Sequence, residues 1–222
     1  VGNVKVGLDR EMVIQTALEL LNEVGLDGLT TRRLADKLGV KQPAIYWHFR
    51  NKRDLLDEMA ARMVSDGRTP GPMTRDTWMH SFKEDARGFR RALLQYRDGA
   101  RIHAGTRPDA RMFASLNRRV HAMCEAGLSA PDAVRALMVM SHYVVGSVIE
   151  EQASNENTRA MMHESFTPDP DTYPTLAHGV SIMRHDDAAV GFEFGLDALV
   201  TGLAAKLDAT AAVGSAPIFE TY

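Results

Sequence analysis

The segment AAVGFEFGLDALVTGLAAKL, Ala188 to Leu207, most constrains what this chain can become. It is apolar on most sides of a helix and carries Gly191, Gly195 and Gly202. A surface helix shows one apolar stripe and one polar face. This segment shows no such division, so it has to be covered all round, and its small residues let a second helix come close. Both properties describe a helix at an interface between subunits. A second segment, AVRALMVMSHYVVGSVIE from Ala133 to Glu150, is nearly as apolar, but Arg135 and His142 interrupt it. It reads as a core or interface helix, too polar and too short for a membrane span.

The rest of the chain follows the same 3.6-residue period, and strand-like alternation is nearly absent. The fold expectation is all-α. Asp9 is placed to cap a first helix, whose stripe is Val13, Ala17, Leu20, Leu21 and Val24, with Gly25 as its stop. A short helix follows Thr30 and ends at Gly39, and a third carries Ala44 to His48 behind Pro43. Asn51 with Asp54 resembles a capping pair for a fourth, with Leu55, Met59 and Met63 on one face. The stretch GRTPGP, residues 67–72, breaks the pattern and marks a boundary between residues 1–66 and 67–222. Further helices are expected at 76–95, 109–125, 131–152 and 188–207. Residues 153–175 read as a long mobile loop and residues 208–222 as a frayed tail.

A composition of 45% hydrophobic and 25% charged residues is that of a soluble globular protein. The single cysteine, Cys124, excludes an intrachain disulfide and fits a reducing cytoplasm. No secretory leader is expected, since no basic, apolar, small-residue pattern opens the sequence. The net charge of −3 excludes a wholly basic nucleic-acid binder. Between Gly28 and Arg53, however, seven basic residues face Asp36 alone. That local excess coincides with two short helices joined by a glycine turn, the helix-turn-helix pattern whose second helix enters the major groove. Gln42 is placed to reach base edges, and Arg32 has the fork that reads guanine. Tyr46, Lys52 and the Thr31 hydroxyl are placed for phosphates. Tyr46 and Trp47 equally fit a plain core.

The run GLDGLTTRRLADKLGVKQPAIYWHFRNKRDLLDEMA resembles the DNA-binding domain of the TetR family. FRRALLQYRDGARIHAGTRP and SHYVVGSVIEEQ resemble the tetracycline repressors in particular, and the likeness covers nearly the whole chain. It implies a homodimer with an N-terminal three-helix head and a larger helical core. In that arrangement 131–152 and 188–207 form a four-helix bundle with the partner's helices. It implies contacts to a palindromic double-stranded DNA operator through Thr31, Arg32, Gln42, Pro43, Tyr46, Trp47, His48 and Lys52. A threonine is expected where Ala44 stands, so the operator is expected to differ at one base step.

The resemblance also implies an effector, a tetracycline-like or other polycyclic molecule held as a Mg²⁺ chelate. His103 would be the direct metal ligand. Thr106 and the partner subunit's Glu150 would act through water. Mg²⁺ keeps several waters and needs few direct protein ligands. From the residues alone, His103 equally fits a helix-end hydrogen bond. Phe89, Arg107, Pro108 and His142 match pocket positions, and Leu116, Val120, Val134 and Leu137 match apolar wall.

Arg68, Asp85 and Arg119 stand where the tetracycline repressors carry neutral polar groups. These charges either pair with one another or meet a ligand with different ring substituents, an acidic one included; the alternative expectation is a repressor of the same family that answers to an unrelated aromatic or acidic ligand without metal. No phosphate loop, nucleophile elbow or paired zinc motif is present, so no enzyme is expected.

Overall fold

The computed structural model describes residues 8–67, 74, 76–106, 110–153, 167–184 and 186–214, without the side chains of residues 66, 67, 111 and 208–214. Every regular element among them is helical. The backbone divides into two compact units: Val1–Thr69 with Gly88–Ala114, and Pro70–Arg87 with Ser115–Tyr222.

In the first unit, α1 (Arg10–Gly28) begins where the Asp9 carboxylate accepts the Met12 N–H at 2.7 Å. Gly25 breaks its regular path with φ 71°, and one further turn follows. The stop expected at Gly25 is therefore a kink. α2 (Thr31–Leu38) is capped by the Thr30 hydroxyl at 3.2 Å and closed by Gly39 at φ 67°. Next comes Gln42–Trp47, tighter than expected: it is a 3₁₀ helix, not an α-helix. α3 (Lys52–Gly67) starts on the expected pair. Asn51 accepts the Asp54 N–H at 2.9 Å, and Asp54 reaches back to the Arg50 N–H at 3.1 Å. Val13, Leu21, Leu34, Ile45, Leu55 and Met59 close the core of this bundle.

α4 (Trp78–Leu94) contributes its first part to the second unit and its last to the first. α5 (Gly99–Ala104) belongs to the first unit and puts Ile102 into the core of the helical head. α6 is Ala110–Glu125, and α7 is Ala130–Ala153. α8 (Pro174–Met183) is a helix the sequence did not announce, and α9 (Ala188–Gly214) continues past Leu207, where fraying was expected. Residues 154–166 of the expected loop, and the linker residues 68–73, lie outside the described residues.

α7 buries Ala133, Ala136, Leu137, Met140, Val144 and Val148 along one face and leaves Val134, Met138 and Val139 exposed on another. α9 buries Phe192, Leu196 and Val200 and exposes Val190 and Phe194, the latter 79% accessible. The two helices meet where the rings of Tyr143 and Phe192 stack at 5.4 Å and the Tyr143 hydroxyl donates to the Phe192 carbonyl at 2.7 Å. α4 is tied to α9 by Arg87, which grips both oxygens of Glu193 at 2.8 and 2.5 Å, and by Lys83 with Asp197 at 2.6 Å. By length and composition α7 and residues 188–207 of α9 could each cross a membrane. The expectation that α7 is too short for one is thus corrected; its Arg135, His142 and Glu150 remain the argument against it.

Candidate nucleic-acid interface and effector site

The 3₁₀ helix is held from two sides. Ile45 and Phe49 are sunk in the core. From the outside, Arg10 donates to the His48 carbonyl at 2.6 Å and to buried Glu58 at 2.6 Å, with its guanidinium 4.5 Å from the Phe49 ring centroid. A guanidinium so placed satisfies a helix-end carbonyl and a buried carboxylate at once. Sequence reading missed this clamp, because it joins residues 38 and 48 positions apart.

The expected DNA-contacting residues gather on the side facing away from that core. Gln42 donates to the Thr31 hydroxyl at 2.8 Å, and the Tyr46 hydroxyl lies 3.4 Å from the same oxygen, so α2 and the 3₁₀ helix share one polar seam. Trp47 is 88% accessible, so it is no core aromatic, and Tyr46 is also exposed. Arg32, Gln42, Pro43 and Lys52 are exposed, while Thr31, Ala44 and His48 are half-buried. Seven of the eight expected residues thus fall on the 3₁₀ helix, its neighbour α2 and the start of α3, and His48 directly follows the 3₁₀ helix as its cap.

His103 sits near the end of α5. Its half-buried ring meets Phe89 edge-on, with centroids 4.9 Å apart and planes at 74°, and its Nδ1 is shut off from solvent. The Thr106 hydroxyl donates to the His103 carbonyl at 2.8 Å, which keeps its own lone pairs available to accept from water. α5 is built tightly onto α4: Asp98 takes φ 58°, and a Cβ on Gly99 would lie 2.4 Å from the Leu93 carbonyl oxygen. Arg107 and Pro108 lie outside the described residues, as does Arg68.

α5 is also fastened to the head. The Leu26 N–H donates to Asp98 at 2.8 Å, the Arg97 N–H donates to Asn22 at 2.8 Å, and Arg101 reaches Asp27. A Cβ on Gly105 would lie 3.3 Å from the Arg53 guanidinium of α3. Partial burial pushes the Asp98 carboxyl up, but the Leu26 N–H and the Arg101 guanidinium outweigh it and hold the group below its ordinary value.

In the second unit, Asp85 and Arg119 form an ion pair at 3.2 Å, with 7% and 9% of their side-chain surfaces exposed. His142 and Glu150 are exposed along a groove of about 720 Å³ that Tyr143, Asp187 and Phe192 also line. Leu137 is buried, Leu116 and Val120 are half-buried, and Val134 is exposed. Among the described residues no three His, Cys, Asp or Glu side chains gather to hold a metal ion. Sequence reasoning did not find the tie between Arg87 and Glu193. The two carboxylates Glu193 and Glu84 raise the Arg87 guanidinium further above its ordinary range, and Arg87 holds Glu193 below its own.

Residues 70–207 match the family described as tetracyclin repressor-like, C-terminal domain, and residues 13–59 match the bacterial regulatory proteins of the tetR family. The chain is 48% identical to the tetracycline repressor protein class C of Escherichia coli, over 88% of this chain and 90% of that one. It resembles the structure of the class A TetR in complex with 5a,6-anhydrotetracycline and magnesium, with TM-score 0.68, 44% identity, and coverage of 89% and 98%. It also resembles the Streptomyces coelicolor TetR family protein ActR in complex with actinorhodin, with TM-score 0.80, 27% identity, and coverage of 91% and 99%.

Proposed function

Since this chain belongs to the TetR family of bacterial transcriptional regulators, close to the tetracycline repressors, we propose that it is an effector-released repressor acting as a homodimer on a palindromic operator. Residues 1–66 bind DNA, and 67–222 carry effector binding and dimerisation. The exposed apolar faces of α7 and α9 support pairing with a second copy. The DNA contacts are Thr31, Arg32, Gln42, Pro43, Tyr46, Trp47, His48 and Lys52, with Ala44 shifting base preference at one step. The protein works in the cytoplasm, and its task is binding without catalysis.

The effector is a polycyclic molecule of tetracycline-like chemistry, taken up with Mg²⁺. The chain's donors suit that ion: one imidazole on His103, with the oxygens of Thr106 and the partner subunit's Glu150 reached through water. When bound, the ion would be held by His103 and would supply the positive charge that recognises a chelating effector. Phe89 backs the imidazole.

The observation that carries this reading is the fastening of α5 to the head, where Asp98 holds Leu26 and Ile102 enters the head's core. The helix that presents His103 is built into the same unit as the 3₁₀ helix. A ligand that binds best when α5 is displaced must also displace α1 and α3, and such differential affinity is what shifts a population away from the operator-binding form. Calorimetry with tetracycline and MgCl₂, beside an electrophoretic shift on the DNA flanking the coding region, tests it. Heat on mixing together with loss of the shifted band supports the reading. A shift that tightens on adding drug would sink it.

The Asp85–Arg119 pair favours a second reading: the same repressor with an aromatic or acidic effector and no metal. Charges stand there in place of neutral hydrogen-bonding groups, and because they are paired with each other that end offers a tetracycline none of those groups. The response of the His103→Ala variant separates the two readings.

A further inference from the structure

The seven cations between Gly28 and Arg53 are not equivalent. Lys37 is paired with Glu23 at 2.5 Å, Arg53 is paired with Asp57 at 3.1 Å, and Arg33 donates to the Gly28 carbonyl at 3.2 Å. Arg32, Lys41, Arg50 and Lys52 are exposed and form no ion pair among the described residues. Lys41 and Arg50 bracket the 3₁₀ helix. Lys41 precedes it, its carbonyl accepting the Ala44 N–H at 2.9 Å. Arg50 follows it on a backbone fixed by Asp54, and it lines a cleft of about 420 Å³ with Tyr46, Trp47, His48, Phe49, Arg10 and Asp54 itself.

A solvated cation usually finds a nearby carboxylate or contributes little. Here Glu23, Asp57 and Glu58 are paired with Lys37, Arg53 and Arg10, and Asp54 is taken up by the Arg50 N–H, which leaves Asp36 on α2 as the exposed carboxylate beside four exposed cations, a net positive charge around a single exposed helix. A duplex presents phosphates on both sides of the groove that receives such a helix, and contacts to them fix register without reading sequence. We propose that Lys41 and Arg50 are phosphate contacts, one beyond each end of the 3₁₀ helix, which seat it on double-stranded DNA. This rests on the operator-binding reading above and adds two residues to it.

Each phosphate neutralised releases condensed counterions, so it steepens the fall of log K with log[salt] by about 0.9. The test is fluorescence anisotropy of the full chain on a mixed-sequence B-DNA duplex, with KCl stepped from about 50 to 200 mM. Lys41→Ala and Arg50→Ala are each expected to flatten the slope by about 0.9 for every head engaged. Lys41→Arg and Arg50→Lys, which keep the charge, are expected to retain it. Arg135→Ala, on α7, is expected to leave it unchanged. Unchanged slopes in both alanine variants, with the parent protein still binding, overturn the phosphate assignment and leave DNA binding standing. A parent protein with no salt-dependent binding overturns both.

Discussion

Asp85 of α4 and Arg119 of α6 form an ion pair at 3.2 Å with less than a tenth of either side chain exposed. Burying two charges is costly, and removing one partner leaves the other uncompensated, whereas removing both can be nearly neutral. Asp85→Ala and Arg119→Ala are each expected to destabilise the protein by about 3 kcal/mol, and the double variant carrying both by well under the sum of the two. Urea unfolding of the three variants checks this. Additive losses would mean that the two side chains do not act as a unit.

His103→Ala removes the one imidazole proposed to meet the metal and leaves the operator-facing residues untouched. Effector affinity in MgCl₂ is expected to fall on the order of 100-fold, with the operator complex unchanged in the absence of effector. Chelating the divalent ions with EDTA is expected to reproduce the loss in the parent protein. Induction that survives both treatments leaves the metal-free reading in place.

What the sequence revealed was local. Asp9, Thr30 and the Asn51–Asp54 pair each bond within four residues, so their spacing alone announces the helix starts. α8 gave no such signal: it buries none of its residues, so no apolar stripe facing a core marks it in the chain. The 3₁₀ geometry of Gln42–Trp47 was equally silent, since six residues are too few to show a period. The Arg10 clamp and the Asp98–Leu26 bond join residues 38 or more positions apart, and only the fold chooses their partners, whereas pairing of Asp85 with Arg119 was one of two alternatives legible in the sequence, and the fold takes it. For the site, the motif around His103 identified the residue, while its contact with Phe89 and the fastening of α5 to the head needed three dimensions.

Asp98 makes acid stability measurable. Its carboxyl is held below its ordinary value, so it contributes stability that is fully present above the unfolded-state value and is lost as pH falls through the folded one. Asp98→Asn keeps an oxygen for the Leu26 N–H and loses the charge facing Arg101. The variant is expected to be less stable than the parent at pH 7, with the gap closing as pH drops below about 4. Urea midpoints across that range check it; a gap that stays constant would show that the charge is immaterial.

The glycines of α9 separate packing within the chain from packing against a partner. A Cβ on Gly195 would lie 2.3 Å from the Tyr143 hydroxyl oxygen and 2.8 Å from a ring carbon, so Gly195→Ala forces α7 and α9 apart. A loss of about 1–3 kcal/mol is expected, as for an overpacked core. A Cβ on Gly202 meets nothing within 4 Å. Within one chain Gly202→Ala is therefore expected to help the helix by up to about 1 kcal/mol. If α9 lies against the same helix of a second copy, the added methyl group instead weakens the dimer. Analytical ultracentrifugation decides: a dimer that dissociates more readily in Gly202→Ala places this face in the interface, and unchanged association removes it.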